Sequence, residues 1–363
     1  MPKAKELPFD GELLRDIALI PGVSGDEGQI RDRVKKEFEK CKIIDEIKVD
    51  GMGNIMGYIN KDKNKDTILV SAHLDTVGMR VTKIHDSAIA GVQEGSLVFE
   101  DIGLARDQLG SIKVRIHTAQ GNVPAVICTQ GVHIRFEDNV EYDLDAMVID
   151  TGATSYNEVR KMGVDVGDSI SFDGEVEPMG TTRLVGPFLD NRIGVANIIT
   201  LAQNLDKKKL KTNLILAGTV HEESELSGIK CLANNVKPNA AIVMDTTTAM
   251  QHDADIEMGL AVLDKGVAIE MGTFANKKLI KMAIDLAKKY GIKHQKEVIV
   301  DVYTVNESYA ARWQGFGIPT LSLSYPVRYL HSSVEMVDMR DVSDTLTLVK
   351  YVLYNITSGM KYL

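Results

Sequence analysis

The sequence Ile68-Leu-Val-Ser-Ala-His73-Leu-Asp75 is an apolar run that ends in a histidine and, two residues later, in a carboxylate. Side chains two positions apart on a strand project from the same face of a sheet. Open α/β sheets carry their sites just beyond the carboxyl ends of buried strands. The segment therefore predicts an α/β strand with His73 and Asp75 at the end that bears the site. Taken alone, the pair is more typical of a structural histidine at a strand end than of a metal ligand.

Length and composition set the class of protein. At 363 residues with 44% hydrophobic residues, the chain fits a soluble globular protein of two domains. The formal net charge of −9 disfavours a nucleic-acid or anionic-membrane partner. The three cysteines lack CxxC spacing, which favours a reducing compartment and excludes a thiolate metal site. Because no secretory signal or membrane-spanning run is evident, we expect a cytoplasmic protein.

The hydrophobic periodicity divides the chain into two kinds of segment. Residues 1–78 and 184–363 alternate between buried-strand runs and helical patterns, whereas residues 79–183 contain short alternating strands separated by glycine turns. This pattern predicts an α/β domain, at 1–78 and 184–363, with a β-rich domain at 79–183 inserted after the strand that ends at His73.

Individual helices carry end signals of their own. The segment Lys277–Tyr290 predicts an amphipathic helix that Gly291 ends. The segment Ser24–Glu27 offers capping side chains for a second helix, and Asp190 stands where an N-cap belongs.

Metal-capable residues follow three further apolar runs. Leu214–Val220 leads into His221-Glu222-Glu223, Ala240–Met244 leads into Asp245, and the run from Pro319 leads to His331. Asp190 opens a helix directly after the inserted segment. Parallel strands bring their carboxyl ends to one edge of a sheet, so these groups are expected to share a site with His73.

The residue types limit the chemistry of such a site. Imidazoles and carboxylates without a thiolate suit zinc, cobalt or manganese. Two cations that share one carboxylate balance this many acids better than one, and such pairs are hydrolytic centres that activate a water and polarise a scissile carbonyl. They need an acid outside the ligand set to move a proton. In Glu222-Glu223, one residue can bind metal while its neighbour faces the water.

Five short motifs in this order resemble the TET-type metallo-aminopeptidases, a tetrahedral, self-compartmentalising dinuclear family. The motifs are His73-x-Asp75, Asp190-Asn-Arg, Glu222-Glu223, Asp245-Thr and Arg328-Tyr-Leu-His331-Ser. The resemblance covers nearly the whole chain. It implies a zinc-exopeptidase-like fold, with a mixed, mostly parallel sheet flanked by helices, and a PDZ-like dimerisation domain at 79–183.

The resemblance also implies a role for each of these residues. His73 and Asp245 would bind one divalent ion, Glu223 and His331 the second, and Asp190 both, with zinc expected first and cobalt or manganese as alternatives. Asp75 would orient His73, and Glu222 would be the general base. The implied activity is stepwise removal of N-terminal residues from peptides, inside a dodecamer built from dimers.

Two segments depart from the family pattern. Ser224–Gly228 follows the double glutamate where the family usually has Val-Gly and Arg-Gly, and Thr304–Ala310 stands where it usually has Gly-Thr-Asp-Ala. Both leave substrate preference open; Glu225 would suit a basic substrate terminus or point to solvent, and we favour solvent. Two alternatives to an aminopeptidase follow, namely a small-amide deacylase or dipeptidase on the same metal core, and a non-catalytic metal-binding assembly protein. Glu222 argues against the latter.

Overall fold

A computed structural model describes residues 7, 9–89, 92–129, 147–252, 260–273, 275–299 and 306–362. The helices in these ranges are α1 Gly11–Ala18, α2 Gly28–Lys40, α3 Tyr156–Lys161, α4 Leu189–Asn204, α5 Glu222–Glu225, α6 Ser227–Val236, α7 Lys277–Tyr290, α8 Glu307–Ala311 and α9 Met339–Asn355. None of the helices that the structure describes is long and apolar enough to cross a membrane.

A large mixed sheet forms the centre of the fold. Its strands are β1 Glu46–Val49, β2 Ile55–Ile59, β3 Thr67–His73, β10 Glu177–Met179, β11 Arg183–Gly186, β12 Asn213–Thr219, β13 Ala240–Thr248, β14 Val267–Gly272, β15 His294–Ile299, β16 Thr320–Arg328 and β17 Glu335–Asp338. They lie in the order β1-β2-β12-β3-β13-β16-β17-β11-β10, with β14 paired to β16 and β15 to β14. The four predicted apolar runs, β12, β3, β13 and β16, are adjacent and parallel, as expected.

Strand alternation decides which face of the sheet carries the polar residues. Val70 and Ala72 belong to the main hydrophobic core, which includes residues of α4, α7 and α9. Leu69 lies on the opposite face, in a smaller cluster with residues of α6 and α8. Because Ser71 and His73 alternate with Val70 and Ala72, they lie on the face toward α6 and α8.

A second sheet closes into a six-stranded barrel with a core of its own. Its strands are β4 Gly78–Ile84, β5 Leu97–Ile102, β6 Lys113–Thr118, β7 Gly121–Ile127, β8 Ile149–Asp150 and β9 Ser169–Phe172. Met79, Phe99 and Ile116 are among its buried residues. The chain leaves the large sheet after β3 and pairs with it again at β10.

The helix ends agree with the sequence prediction at α7 and differ from it at α2 and α4. Helix α7 spans Lys277–Tyr290 as predicted, and Gly291 ends it in the left-handed conformation, with φ 69°. The capping predictions were wrong. Glu27 precedes α2 without a side-chain capping bond. In α4 the amide oxygen of Asn191, not Asp190, accepts the backbone N–H of Gly194 at 2.9 Å.

Helix α4 packs against β3 at Gly194, where a side chain has no room. A Cβ atom there would lie 2.3 Å from Asn191 Oδ1 and 2.7 Å from Ala72 Cβ. Gly194→Ala is therefore expected to lower the free energy of unfolding by about 1–3 kcal/mol through overpacking. Urea denaturation measures this, with Gly51→Ala as control because nothing lies within 4 Å of that position. If the alanine side chain fitted without a clash, it would raise the free energy of unfolding by up to about 1 kcal/mol, because alanine favours a helix over glycine. The sign of the measured change therefore tests the prediction.

Candidate metal centre

The five predicted metal ligands come together at the carboxyl edge of the parallel strands. His73 Nε2 lies 3.2 Å from Asp190 Oδ1 and 3.4 Å from Asp245 Oδ1. His331 Nε2 lies 3.4 Å from Asp190 Oδ2 and 3.4 Å from Glu223 Oε2. Asp190 therefore lies between the two histidines and directs one carboxylate oxygen to each.

These residues form two groups with the geometry of a metal site. The ligand atoms of His73, Asp190 and Asp245 lie within 4.8 Å of one another, as do those of Asp190, Glu223 and His331. The buried Glu223 Oε1 has no hydrogen-bond partner among the residues that the structure describes. Two overlapping groups, each with one imidazole and two carboxylates, fit two divalent cations that share Asp190.

The electrostatics of the buried acids favour bound cations. Burial raises the pKa of Glu223 to about 8 and also raises the pKa of Asp245. For His331, burial lowers the pKa, but Asp190 and Glu223 outweigh it and bring the value to about 10. Carboxylates buried together disfavour their charged forms unless positive charge lies beside them. Cations bound between these residues would therefore stabilise the charged forms of the carboxylates.

Asp75 holds the turn that carries Glu222 and Glu223. Its Oδ1 accepts the backbone N–H of Glu222 and its Oδ2 that of Glu223, each at 3.0 Å. Its backbone oxygen lies 3.1 Å from His73 Nδ1, whereas its carboxylate Oδ1 is 3.6 Å from that atom. Asp75 thus contacts the His73 ring mainly through its main chain and fixes the double glutamate through its side chain.

Two residues without a role predicted from the sequence hold the predicted ligands in place. The carboxylate of Glu335 accepts the backbone N–H groups of Asp190 and His331, each at 2.9 Å. Asn191 Nδ2 donates to Asp245 Oδ1 at 3.0 Å. The only local signals are the spacing of four residues between His331 and Glu335 and the position of Asn191 next to Asp190.

Glu27, wrongly predicted as a capping residue, supports the same turn from the N-terminal segment. Its Oε1 accepts the backbone N–H of Gly25 at 2.7 Å and that of His221 at 3.2 Å. His221 has a left-handed backbone, with φ 57°, immediately before Glu222. Glu27 and Asp75 together therefore bind three consecutive backbone N–H groups, those of residues 221, 222 and 223.

Glu27→Ala is expected to lower kcat by about tenfold, because a charge-assisted hydrogen bond that fixes the Glu222 turn is lost. KM and metal content should stay near their wild-type values, since the Glu27 side chain bonds the backbone N–H groups of Gly25 and His221 and not a predicted metal ligand. Steady-state kinetics and elemental analysis measure these quantities. Glu27→Gln keeps an acceptor oxygen and should restore part of kcat, and Glu39→Ala, on the exposed face of α2, is the matched control. An unchanged kcat in Glu27→Ala would contradict the positioning role.

The fold and the paired ligand groups define an α/β protein with a candidate dinuclear metal centre. The sequence model of the M42 glutamyl aminopeptidase family matches residues 53–348, so the chain belongs to this family. The resemblance inferred from the sequence is thereby confirmed. The enzyme is a metal-dependent aminopeptidase, a hydrolase that acts on peptide bonds.

Individual relatives match over almost their whole lengths. A lysyl aminopeptidase of Pyrococcus furiosus is 31% identical over 95% of this chain and 96% of the relative. The solved aminopeptidase of Desulfurococcus kamchatkensis superposes with a TM-score of 0.87 at 28% identity, over 95% of this chain and 94% of that one. The TET1 peptidase of Pyrococcus horikoshii, described as assembling into a tetrahedron or a large octahedral shell, gives 0.82 at 27% identity, over 95% and 99%.

Proposed function

We propose that the enzyme removes N-terminal residues from peptides with two divalent cations in each chain. His73 and Asp245 would hold one cation, Glu223 and His331 the other, and Asp190 both. The observation that carries this proposal is the position of Asp190, whose Oδ1 and Oδ2 lie 3.2 Å and 3.4 Å from different histidines. Zinc suits these ligands best, and cobalt and manganese also fit.

Within this centre the residues of the chain have distinct tasks. Bound divalent cations would supply Lewis acidity and lower the pKa of a water. Glu222, beside the ligand Glu223, takes a proton from the attacking water and returns it to the departing amine nitrogen. Asp75 orients His73 and holds the backbone of both glutamates, so that the base and the ligand keep their relative positions.

The proposal extends to assembly. We propose that residues 1–78 and 184–363 form the catalytic domain and that 79–183 form the PDZ-like dimerisation domain implied by the resemblance. Dimers would then assemble into a dodecamer in the cytoplasm. Support comes from the separate core of the barrel and from the tetrahedral TET relative. The mass in solution, measured by light scattering, tests this part: a stable monomer contradicts it.

Metal exchange with a substrate panel tests the activity. The protein is stripped with a chelator, reloaded with zinc or cobalt, and assayed on aminoacyl 4-nitroanilides that cover acidic, basic and apolar residues. Reloading should restore turnover, and N-acetylation of the substrates should abolish it, because an aminopeptidase acts at a free N-terminal amine. A deacylase would act on the acetylated forms instead. Protein with metal demonstrably bound and no turnover of any free-amine substrate would exclude an aminopeptidase.

A further inference from the structure

Two buried glutamates lie side by side outside the metal ligands. Glu270 on β14 and Glu297 on β15 are register partners in adjacent parallel strands, so their side chains share a face at about 4.8 Å strand spacing. They are only 7% and 8% exposed. No described side chain of opposite charge forms an ion pair with either of them.

Neutral groups hold the pair in place and leave one oxygen free. Asn306 Nδ2 donates to both oxygens of Glu270, at 2.8 and 2.9 Å, and Ser324 Oγ donates to Oε1 at 2.5 Å. Thr247 Oγ1 donates to Glu297 Oε1 at 2.6 Å. The second oxygen of Glu297, Oε2, is buried and has no partner among the described residues. A buried carboxylate oxygen without a donor is costly, so the pair is built for a further donor.

The pair adjoins the metal centre on the same face of the sheet. Ser324, which holds Glu270, is the register partner of Asp245. Thr247, which holds Glu297, lies two positions after Asp245 and therefore projects from the same face. Glu270 thus lies two strands, roughly 10 Å, from the proposed metal ligand Asp245. Glu297 is one strand farther away, but its carboxylate reaches back to the Thr247 hydroxyl. This separation is within reach of a long side chain on a residue whose peptide bond lies at the cations.

We propose that Glu270 and Glu297 form a subsite for the positively charged side chain of a substrate's N-terminal lysine or arginine. An ammonium or guanidinium group carries only donors, which supply the hydrogen bond that Glu297 Oε2 lacks and offset the charge of the pair. Acidic N-terminal residues are repelled from the same place. This subsite rests on the proposed function and adds a substrate class to it.

A lysine and norleucine comparison tests the subsite, because norleucine has the lysine carbon chain without the ammonium group. Wild-type enzyme should show a kcat/KM about 10- to 100-fold higher for lysyl than for norleucyl 4-nitroanilide, the size expected for hydrogen bonds to a charged group. The double variant Glu270→Gln, Glu297→Gln should bring this ratio close to one. Glu225→Gln removes an exposed acid near the base and should leave the ratio unchanged.

The outcomes separate the two levels of the proposal. Equal turnover of lysyl and norleucyl substrates by the wild type overturns the subsite and leaves the aminopeptidase intact. No turnover of any substrate in the panel contradicts the proposed function itself. If the double variant does not fold, inhibition of the wild type by the free amino acids decides: lysine should inhibit at about tenfold lower concentration than norleucine, and equal inhibition overturns the subsite.

Discussion

Glu222→Gln is expected to lower kcat by about two to four orders of magnitude while both cations stay bound. The amide keeps the size of the side chain but cannot take a proton from the attacking water. The turn should survive the change, because Asp75 and Glu27 hold backbone N–H groups on either side of the substituted side chain. The effect is therefore chemical and should appear in kcat, with a small change in KM.

Kinetics and elemental analysis of the same samples test this assignment. The matched variant Glu223→Gln replaces the neighbouring acid, whose Oε2 lies 3.4 Å from His331 Nε2, and should lose a cation as well as activity. Glu225→Gln, on the exposed side of the same turn, should behave as wild type. If Glu222→Gln lost metal and Glu223→Gln kept it, the roles of the two glutamates would be reversed.

The sheet and the ligand cluster were predictable because their signals are local. Each central strand is an apolar run that ends in a chemically distinct residue, as at His73 and Asp245, and parallel pairing brings such ends together. The periodicity of Lys277–Tyr290 likewise defined a helix without knowledge of its neighbours. In these cases, a buried face, a hydrophobic periodicity and an end signal within one segment were sufficient to predict the strand or helix.

The supporting contacts were not predictable, because they depend on packing between distant segments. Glu27 accepts a hydrogen bond from a residue 194 positions away, and its sequence context is that of a helix cap. Glu270 and Glu297 belong to strands without a long apolar run, and their pairing depends on the register of β14 and β15. Of the divergent segment Thr304–Ala310, residues 304 and 305 lie outside the described residues, but Asn306 holds Glu270.

Asp190→Asn is expected to remove both cations, whereas Asp245→Asn should remove one. The contrast follows from geometry, since Asp190 directs an oxygen to each of the two histidines, whereas Asp245 lies beside His73 alone of the two. A neutral amide offers one acceptor oxygen and no charge, so it cannot serve two cations. Activity should fall by about three orders of magnitude or more in Asp190→Asn, because several kcal/mol of transition-state stabilisation are lost with the metals.

Metal content per chain and thermal unfolding with and without chelator give independent tests of this bridging role. Ions that bind only the folded protein stabilise it, by about 2.7 kcal/mol at a hundred times Kd, so chelation should lower the Tm of the wild type. The Tm of Asp190→Asn should not respond to chelator, and that of Asp245→Asn should respond partly. Two ions retained in Asp190→Asn would show that another group joins them, and Glu223 would then be the first candidate, because its Oε1 has no partner among the described residues.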